Sequence, residues 1–305
     1  MRYAFFPGCT MSERLPFVEK SIRIVLPMFD AELVDLPFTC CPEPNSVRSF
    51  SDKTWLAMGA RNLAIAEKKG LDILAACAGC FESLSMAKHK LDSDAELKKE
   101  INQILAKVGY EYKGDIKVRH IHQFFFDDIN LEEISKRVVN PINLRVVTHP
   151  GCHLLRPEDI LKVDSAEAPV KLDGLVNVLG GEALEYMDKS MCCGAGIRGI
   201  NREVSFAVLR DKMESMMMVE PDAAVVFCPT CFISFEAGQR VVNRSFGTDY
   251  DLPVYYYTEL LALAMGLPES DIILAAHRVK PKAPIVDVGE KNRQAEINDA
   301  TASKN

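Results

Sequence analysis

The ten cysteines of this 305-residue chain fall into two sets of five with the same internal order, and that repeat restricts what the chain can fold into. The first set is Cys9, the vicinal pair Cys40-Cys41, and Cys77-Ala78-Gly79-Cys80. The second is Cys152, then Cys192-Cys193, then Cys228-Pro229-Thr230-Cys231, and no cysteine is left over. The neighbours repeat as well: Phe6-Pro7-Gly8-Cys9 answers His149-Pro150-Gly151-Cys152, and Cys80-Phe81 answers Cys231-Phe232. An internal repeat of this length implies two copies of one fold facing each other across a seam. The expected division is residues 1–142, residues 143–268, and a polar tail over 269–305 that is extended or mobile, or that orders against a partner.

Secondary-structure patterns follow the same repeat. Short apolar runs of strand type precede the cysteines at 3–6, 73–76, 145–148 and 223–227, with further strands expected at 31–36 and 183–186. Helical periodicity follows at 15–28, 54–69, 204–219 and 232–243, and residues 124–126 and 254–257 read as one more strand in each half. Alternating strands and helices joined by short turns indicate an α/β fold: two tandem, pseudo-symmetric domains, each a small parallel sheet flanked by helices. Open parallel sheets place ligand sites at the C-terminal ends of their strands, so each cysteine group should converge there and face the shared seam. Each CxxC should also open a helix, whose N-terminal dipole favours the thiolate.

Charge and hydropathy narrow the setting. The net charge is −7, from 36 basic and 43 acidic side chains, with no Lys/Arg block to suit nucleic acid or an anionic membrane. No apolar run approaches the roughly eighteen residues of a spanning helix, so no membrane insertion is expected. The segment before Pro7-Gly8 is too short for a signal peptide, which points to the cytoplasm. In that reducing compartment, clustered cysteines bind metal or do redox chemistry more often than they form disulfides.

Thiolates suit zinc, copper(I) and iron–sulfur clusters. Five per set exceed the four that a structural zinc or a cubane cluster takes. Either one thiolate per set is not a ligand, or the centre accepts five. Zinc in one or both halves and disulfides are the alternatives, although a disulfide between vicinal cysteines is strained.

The twice-repeated Cys…Cys-Cys…Cys-x-x-Cys pattern resembles the cysteine-rich CCG domain family. Phe6-Pro7-Gly8-Cys9, Cys40-Cys41-Pro42, Cys152-His153-Leu154-Leu155-Arg156-Pro157 and Cys192-Cys193-Gly194 are most similar to the heterodisulfide reductase B-subunit family of methanogenic archaea, over about residues 1–266. The resemblance implies two noncubane 4Fe-4S clusters, one on Cys9, Cys40, Cys41, Cys77 and Cys80, the other on Cys152, Cys192, Cys193, Cys228 and Cys231. It also implies reduction of the anionic disulfide CoM-S-S-CoB to two thiols. The chain has no CxxCxxCxxxCP run of the ferredoxin type. The implied partners are therefore a ferredoxin-like iron–sulfur subunit (C type) and, through it, a flavin-containing subunit (A type). Other CCG proteins, linked to glycolate, glycerol-3-phosphate, lactate or fumarate, offer the alternative of an electron-relay subunit.

An anionic substrate at an acidic protein needs local cations. Arg14, Arg48, Arg156 and Arg198 follow cluster cysteines on loops expected to face the seam, and are the candidate substrate-binding residues against a plainer reading as surface charges. His153, beside Cys152, is the candidate catalytic donor of a hydrogen bond or proton to a departing thiolate; packing is its other reading. His120 and His122 are expected to be structural, and the methionine-rich run 213–218 a core and seam helix.

Overall fold

The computed structural model describes residues 1–42 and 47–286. It contains two four-stranded parallel sheets of identical strand order. The first comprises β1 (Arg2–Phe6), β2 (Glu32–Asp35), β3 (Asp72–Ala75) and β4 (Val118–His120), arranged β2-β1-β3-β4. The second comprises β5 (Arg145–His149), β6 (Glu182–Leu184), β7 (Ala223–Val226) and β8 (Val254–Tyr256), arranged β6-β5-β7-β8. The central strands are apolar on both faces: Ile73 to Ala75 and Ala223 to Val226 are buried, as expected where helices cover both sides of a parallel sheet. Strand register sets the equivalences between halves. Phe6, Ala75 and His120 form the C-terminal row of the first sheet, and His149, Val226 and Tyr256 that of the second.

The two halves clasp each other reciprocally. The helix Pro16–Val25 lies on the second-half helix Tyr257–Ala264, with Ser21 Oγ and Thr258 Oγ1 sharing a buried hydrogen bond of 2.6 Å. In the mirrored position, the second-half helix Lys171–Asn177 meets the first-half turn Phe124–Ile129. The Tyr256 hydroxyl approaches two carbonyl oxygens, Ala76 at 2.6 Å and Phe227 at 3.0 Å, each the residue before a CxxC. Buried side chains from both sheets join in one hydrophobic core. The repeat units thus share their interior rather than touching lightly, as loosely linked domains do.

Several segments differ from the sequence reading. Residues 124–126 are not a strand; the strand is Val118–His120, and Phe124–Ile129 is a π-helical turn. A reciprocal cap begins this turn: the His120 N–H donates to Gln123 and the His122 N–H to His120 Nδ1. Phe124 and Phe125 are then both buried, against Tyr3 and against Phe29 and Tyr257, which alternating strand residues do not achieve. The run 232–243 is two helices, Pro229–Glu236 and Gly238–Phe246. The methionine-rich run ends the helix Arg202–Met217: Met213 and Met216 are core, whereas Met218 is exposed, and the helix packs within the second half rather than along the seam. The helix expected at the first CxxC runs from Ala78 to Ser93 with no single apolar stripe along it, and the helix Ala95–Ala106 that follows was not expected.

Residues 269–286 are not a free tail. Ile272, Leu274, Val279 and Ile285 are buried, and Ile142 pairs with Val286 in an antiparallel bridge. His277 is buried against Glu259 Oε1 at 2.8 Å, and the Arg278 N–H donates to Glu236 at 2.7 Å. Widely spaced anchors in a polar segment hide this from a periodicity argument. The rest of the expected tail, 287–305, lies outside the described residues. Among the described residues, no helix is long and apolar enough to cross a membrane.

Candidate metal centre

Every cysteine group follows a strand. Cys9 opens the short helix Cys9–Arg14 after β1, and Cys40-Cys41 lie on the loop after β2. Cys77, after β3, caps the helix Ala78–Ser93, whose first turn carries Cys80. The second half repeats this with Cys152 after β5, Cys192-Cys193 after β6, and Cys228 capping Pro229–Glu236. The helix N-termini direct N–H groups and a positive dipole end at sulfur, which favours thiolate.

Two glycines let the chain pass close to the CxxC turns. Gly8 has φ +81°, and a Cβ there would stand 2.8 Å from Cys80 Sγ. Gly151 has φ +104°, and its Cβ would meet Cys228 Cβ at 3.4 Å and Ala78 Cβ at 3.7 Å. Both positions combine a left-handed backbone with a close approach, so glycine is the fitting residue at each.

Neighbouring cysteine side chains link the two sets across the seam. Cys80 is within side-chain interaction range of Cys41 and Cys77. Cys77 is within range of Cys228 of the other half. Cys231 is within range of Cys228 and Cys193, and Cys193 of Cys192. Cys192 Sγ lies 3.9 Å from Cys152 Sγ. None of the ten cysteines is in a disulfide. In the first set Cys41, Cys77 and Cys80 are buried while Cys9 and Cys40 are exposed; in the second Cys193, Cys228 and Cys231 are buried and Cys152 and Cys192 half-buried. Each set is therefore a cup with a buried floor and an open rim. Contact with Cys152 and Cys193, plus the Gly194 N–H at 3.3 Å, holds Cys192 as a thiolate at a pKa of about 2.

Equivalent positions clamp the vicinal loops with different chemistry. Ser83 and Ser234 each lie three residues after the last cysteine of a CxxC. Ser83 Oγ reaches the Cys41 and Pro42 carbonyls at 2.7 Å, and Ser234 Oγ the Cys193 carbonyl at 2.9 Å. The donor to Ser83 is the Trp55 indole at 2.8 Å; the donor to Ser234 is Arg198 Nη2 at 2.7 Å. Asn62 Nδ2 donates to the Thr39 and Cys40 carbonyls at 3.3 and 3.0 Å. Lys212 stands the same number of residues past its helix N-cap, Asn201, as Asn62 does past Ser51. Its Nζ donates to the Asp188 carbonyl and to that of Lys189 at 3.0 Å, and sits 4.6 Å from the Tyr186 ring centroid. Burial pushes Lys212 down to about 7, against the pull of Cys231 and Asp188.

Of the residues expected at the substrate, Arg14 is exposed and within electrostatic reach of Arg198, which itself lies within reach of Cys193 and Cys231. Arg198 is half-buried, over the Phe206 ring at 4.8 Å. Arg48 instead stacks over Trp55 at 4.9 Å and faces Asp52 at 3.5 Å. Arg156 is tied to the Ser190 and Ala166 carbonyls at 3.3 and 3.0 Å. His153 crosses the seam to Glu82, with Nδ1 3.7 Å from Oε2. Burial lowers its pKa, but the Glu82 carboxylate more than offsets that and the net shift is upward. His120 and His122 are buried and held neutral by desolvation, His122 at a pKa of about 3.

Sequence reasoning missed His149, Glu82, Ser83, Ser234, Asn62 and Lys212. His149 is 1% exposed with both ring nitrogens unpaired among the described residues, and one of them lies within 4.8 Å of Cys193 and Cys231 sulfur. The signal for it was present: His149 answers Phe6 in an otherwise matched repeat. The serines were also visible, as Cys-Phe-x-Ser in both halves. Nothing in the sequence marks Asn62 or Lys212.

Soft, buried sulfur donors with an orphaned imidazole beside them, and a glycine cradle under each set, suit a thiolate-held metal cluster in each half. The cysteine-rich (CCG) domain family matches residues 3–85 and 146–236, each match spanning one complete five-cysteine set. The chain belongs to the CCG family. Within it, the chain is 38% identical to the B subunit of the ferredoxin/F420H2-dependent CoB–CoM heterodisulfide reductase of Methanosarcina acetivorans, over 89% of this chain and 91% of that protein. It is 35% identical to the B subunit of the ferredoxin:CoB–CoM heterodisulfide reductase of Methanosarcina mazei, over 92% and 94%. This identity places the chain with the B-subunit branch of CCG proteins. The fold also matches the crystal structure of a hypothetical protein from Helicobacter pylori, with a TM-score of 0.70 at 17% identity, over 92% of this chain and 52% of that one.

Proposed function

We propose that this CCG protein is the disulfide-reducing subunit of a multisubunit oxidoreductase, and that each five-cysteine set holds a noncubane 4Fe-4S cluster. The substrate we assign is CoM-S-S-CoB, reduced to its two thiols. The observation that carries this reading is that Cys77 and Cys228 lie within side-chain interaction range of each other, which brings the floors of the two cups together at the seam. A single disulfide lying over the seam then has one sulfur near each set. Such clusters, when bound, supply electrons one at a time and an iron site able to hold sulfur.

The chain's own residues supply the rest. Arg14 and Arg198 present positive charge on the side of the second cup, where an anionic group of the substrate would be received. His153, whose pKa the Glu82 carboxylate raises, stands beside Cys152 as the donor of a proton to a leaving thiolate. Arg48 and Arg156, already committed to protein partners, shape loops rather than bind substrate. Electrons arrive from a ferredoxin-like C-type subunit and, behind it, a flavin-containing A-type subunit, in the cytoplasm. Zinc in the second half is the alternative that one observation favours, because His149, Cys193 and Cys231 already gather three donor atoms.

The test is thiol binding to anaerobic, oxidised protein. Adding one thiol product should change the paramagnetic signal of one set, and Arg14→Ala should raise KM with iron content unchanged. If no thiol perturbs either signal and Arg14→Ala leaves KM alone, the chain is an electron relay and the substrate site lies elsewhere.

A further inference from the structure

The two cups are built on one plan, but three positions behind them differ, two in charge and one in hydrogen-bonding capacity, each time toward the second cup. Where a neutral indole, Trp55, props the first serine clamp, the guanidinium of Arg198 props the second. Where the Asn62 amide ties down the first loop, the Lys212 ammonium ties down the second. Where the Phe6 ring ends β1, the His149 imidazole ends β5, buried and unpaired beside Cys193 and Cys231.

We propose that the second cysteine set is the more easily reduced of the two, because Lys212, Arg198 and His149 stabilise added negative charge that Asn62, Trp55 and Phe6 do not. This rests on the two-cluster reading above and orders the clusters within it. Adding one electron adds one negative charge, and cluster potentials respond to net charge, hydrogen bonds to sulfur and solvent exposure. The Lys212 geometry suits a charged ammonium: its three protons have the Asp188 carbonyl, the Lys189 carbonyl and the Tyr186 ring face. Its side chain is fully buried, so water screens it little, and Cys231, Cys193 and Cys192 are all within its electrostatic reach.

Other charges nearby do not cancel the difference. Lys189 is matched by Asp173 and Glu185. Glu82 faces His153. Asp188 is half-buried on the Lys212 side and offsets part of that charge, and among the described residues no carboxylate pairs with Arg198. In the first half Arg61 reaches the Thr39 hydroxyl at 3.3 Å, but from the solvent side, where its field is screened.

The test is a redox titration of the iron-loaded full chain, followed by electron paramagnetic resonance, with Cys40→Ser and Cys192→Ser assigning the two signals. The second-set midpoint should lie above the first. Lys212→Gln, which keeps a hydrogen-bond donor and removes the charge, should lower the second midpoint and leave the first in place. Lys212→Arg should keep it high, and Asn62→Lys should raise the first. His149→Phe should lower the second by a smaller step, as an uncharged donor. A fully loaded wild-type chain whose second midpoint lies at or below the first overturns the inference alone, as does Lys212→Gln with both midpoints unmoved. A wild-type chain without iron overturns the two-cluster reading and the inference with it.

Discussion

The first half and the second half share strand order, cysteine spacing and serine clamps, yet they solve the same packing problems with different residues. The first half props its loops with neutral groups, Trp55 and Asn62, and exposes its rim sulfurs Cys9 and Cys40. The second uses Arg198 and Lys212, and half-buries its rim sulfurs Cys152 and Cys192. A duplicated fold fixes where the sulfurs go, because strand ends and helix N-termini are set by backbone geometry. It does not fix the side chains behind them, and there the halves are free to acquire different electrostatics.

The largest expected effect separates the halves outright. Cys193→Ala should remove the second metal centre and about half of the iron, four atoms of roughly eight, leaving the first set loaded. Cys41→Ala should do the converse. If either change empties both sets equally, the closeness of Cys77 and Cys228 at the seam makes the two sites one unit, and the comparison fails.

The glycines give a graded version of the same comparison. Gly8→Ala puts a Cβ 2.8 Å from Cys80 Sγ at φ +81°, whereas Gly151→Ala meets nothing nearer than 3.4 Å at φ +104°. Both incur backbone strain of about 1–3 kcal/mol. Only the first also pushes a sulfur, so Gly8→Ala should lose metal from the first set while Gly151→Ala lowers the melting temperature and retains it. Metal analysis beside thermal melts checks both.

Tyr256→Phe probes the joint rather than either cup. It leaves the Ala76 and Phe227 carbonyls without their shared hydroxyl donor, at a cost of about 1–3 kcal/mol. Denaturant unfolding should show this with the cooperative transition intact, since the halves share one core. Two separate transitions would show that they do not.

The smallest effect is a pH dependence confined to the C-terminal segment of the second half. His277 has its pKa raised: burial lowers it, and the adjoining Glu259 more than offsets that. A raised folded value means its contribution is full below the unfolded value near 6.5 and is lost as pH rises through the folded value. Melting of the wild type should therefore fall relative to His277→Gln between pH 6 and pH 9, and a constant difference would contradict the ion pair.

Much of this was legible in advance. Cysteine spacing and short apolar runs located β1, β3, β5 and β7, because a buried parallel strand is a compact apolar run ending at a turn. Residues 124–126 misled because three successive aromatics have strand composition, and only tertiary packing of Phe124 and Phe125 on opposite neighbours decides for a helical turn. The start of the helix Ala78–Ser93 was legible from its CxxC, but its extent was not, because it is buried on many sides and so has no single apolar stripe. At the site, ligand candidates could be read from the repeat. The supporting residues could not, since Asn62 and Lys212 are unlike in chemistry and become equivalent only when the two helices are superposed on their caps.

The central claim is that ten cysteines hold two iron–sulfur clusters, and metal content tests it most directly. Iron, acid-labile sulfide, zinc and free thiols should be counted on one anaerobic preparation of the full chain. Expected are about eight irons and about eight sulfides per chain, little zinc and few titratable thiols. One zinc per chain with half the iron would assign the His149, Cys193 and Cys231 group to zinc, and an iron-free chain with ten reactive thiols would contradict the claim altogether.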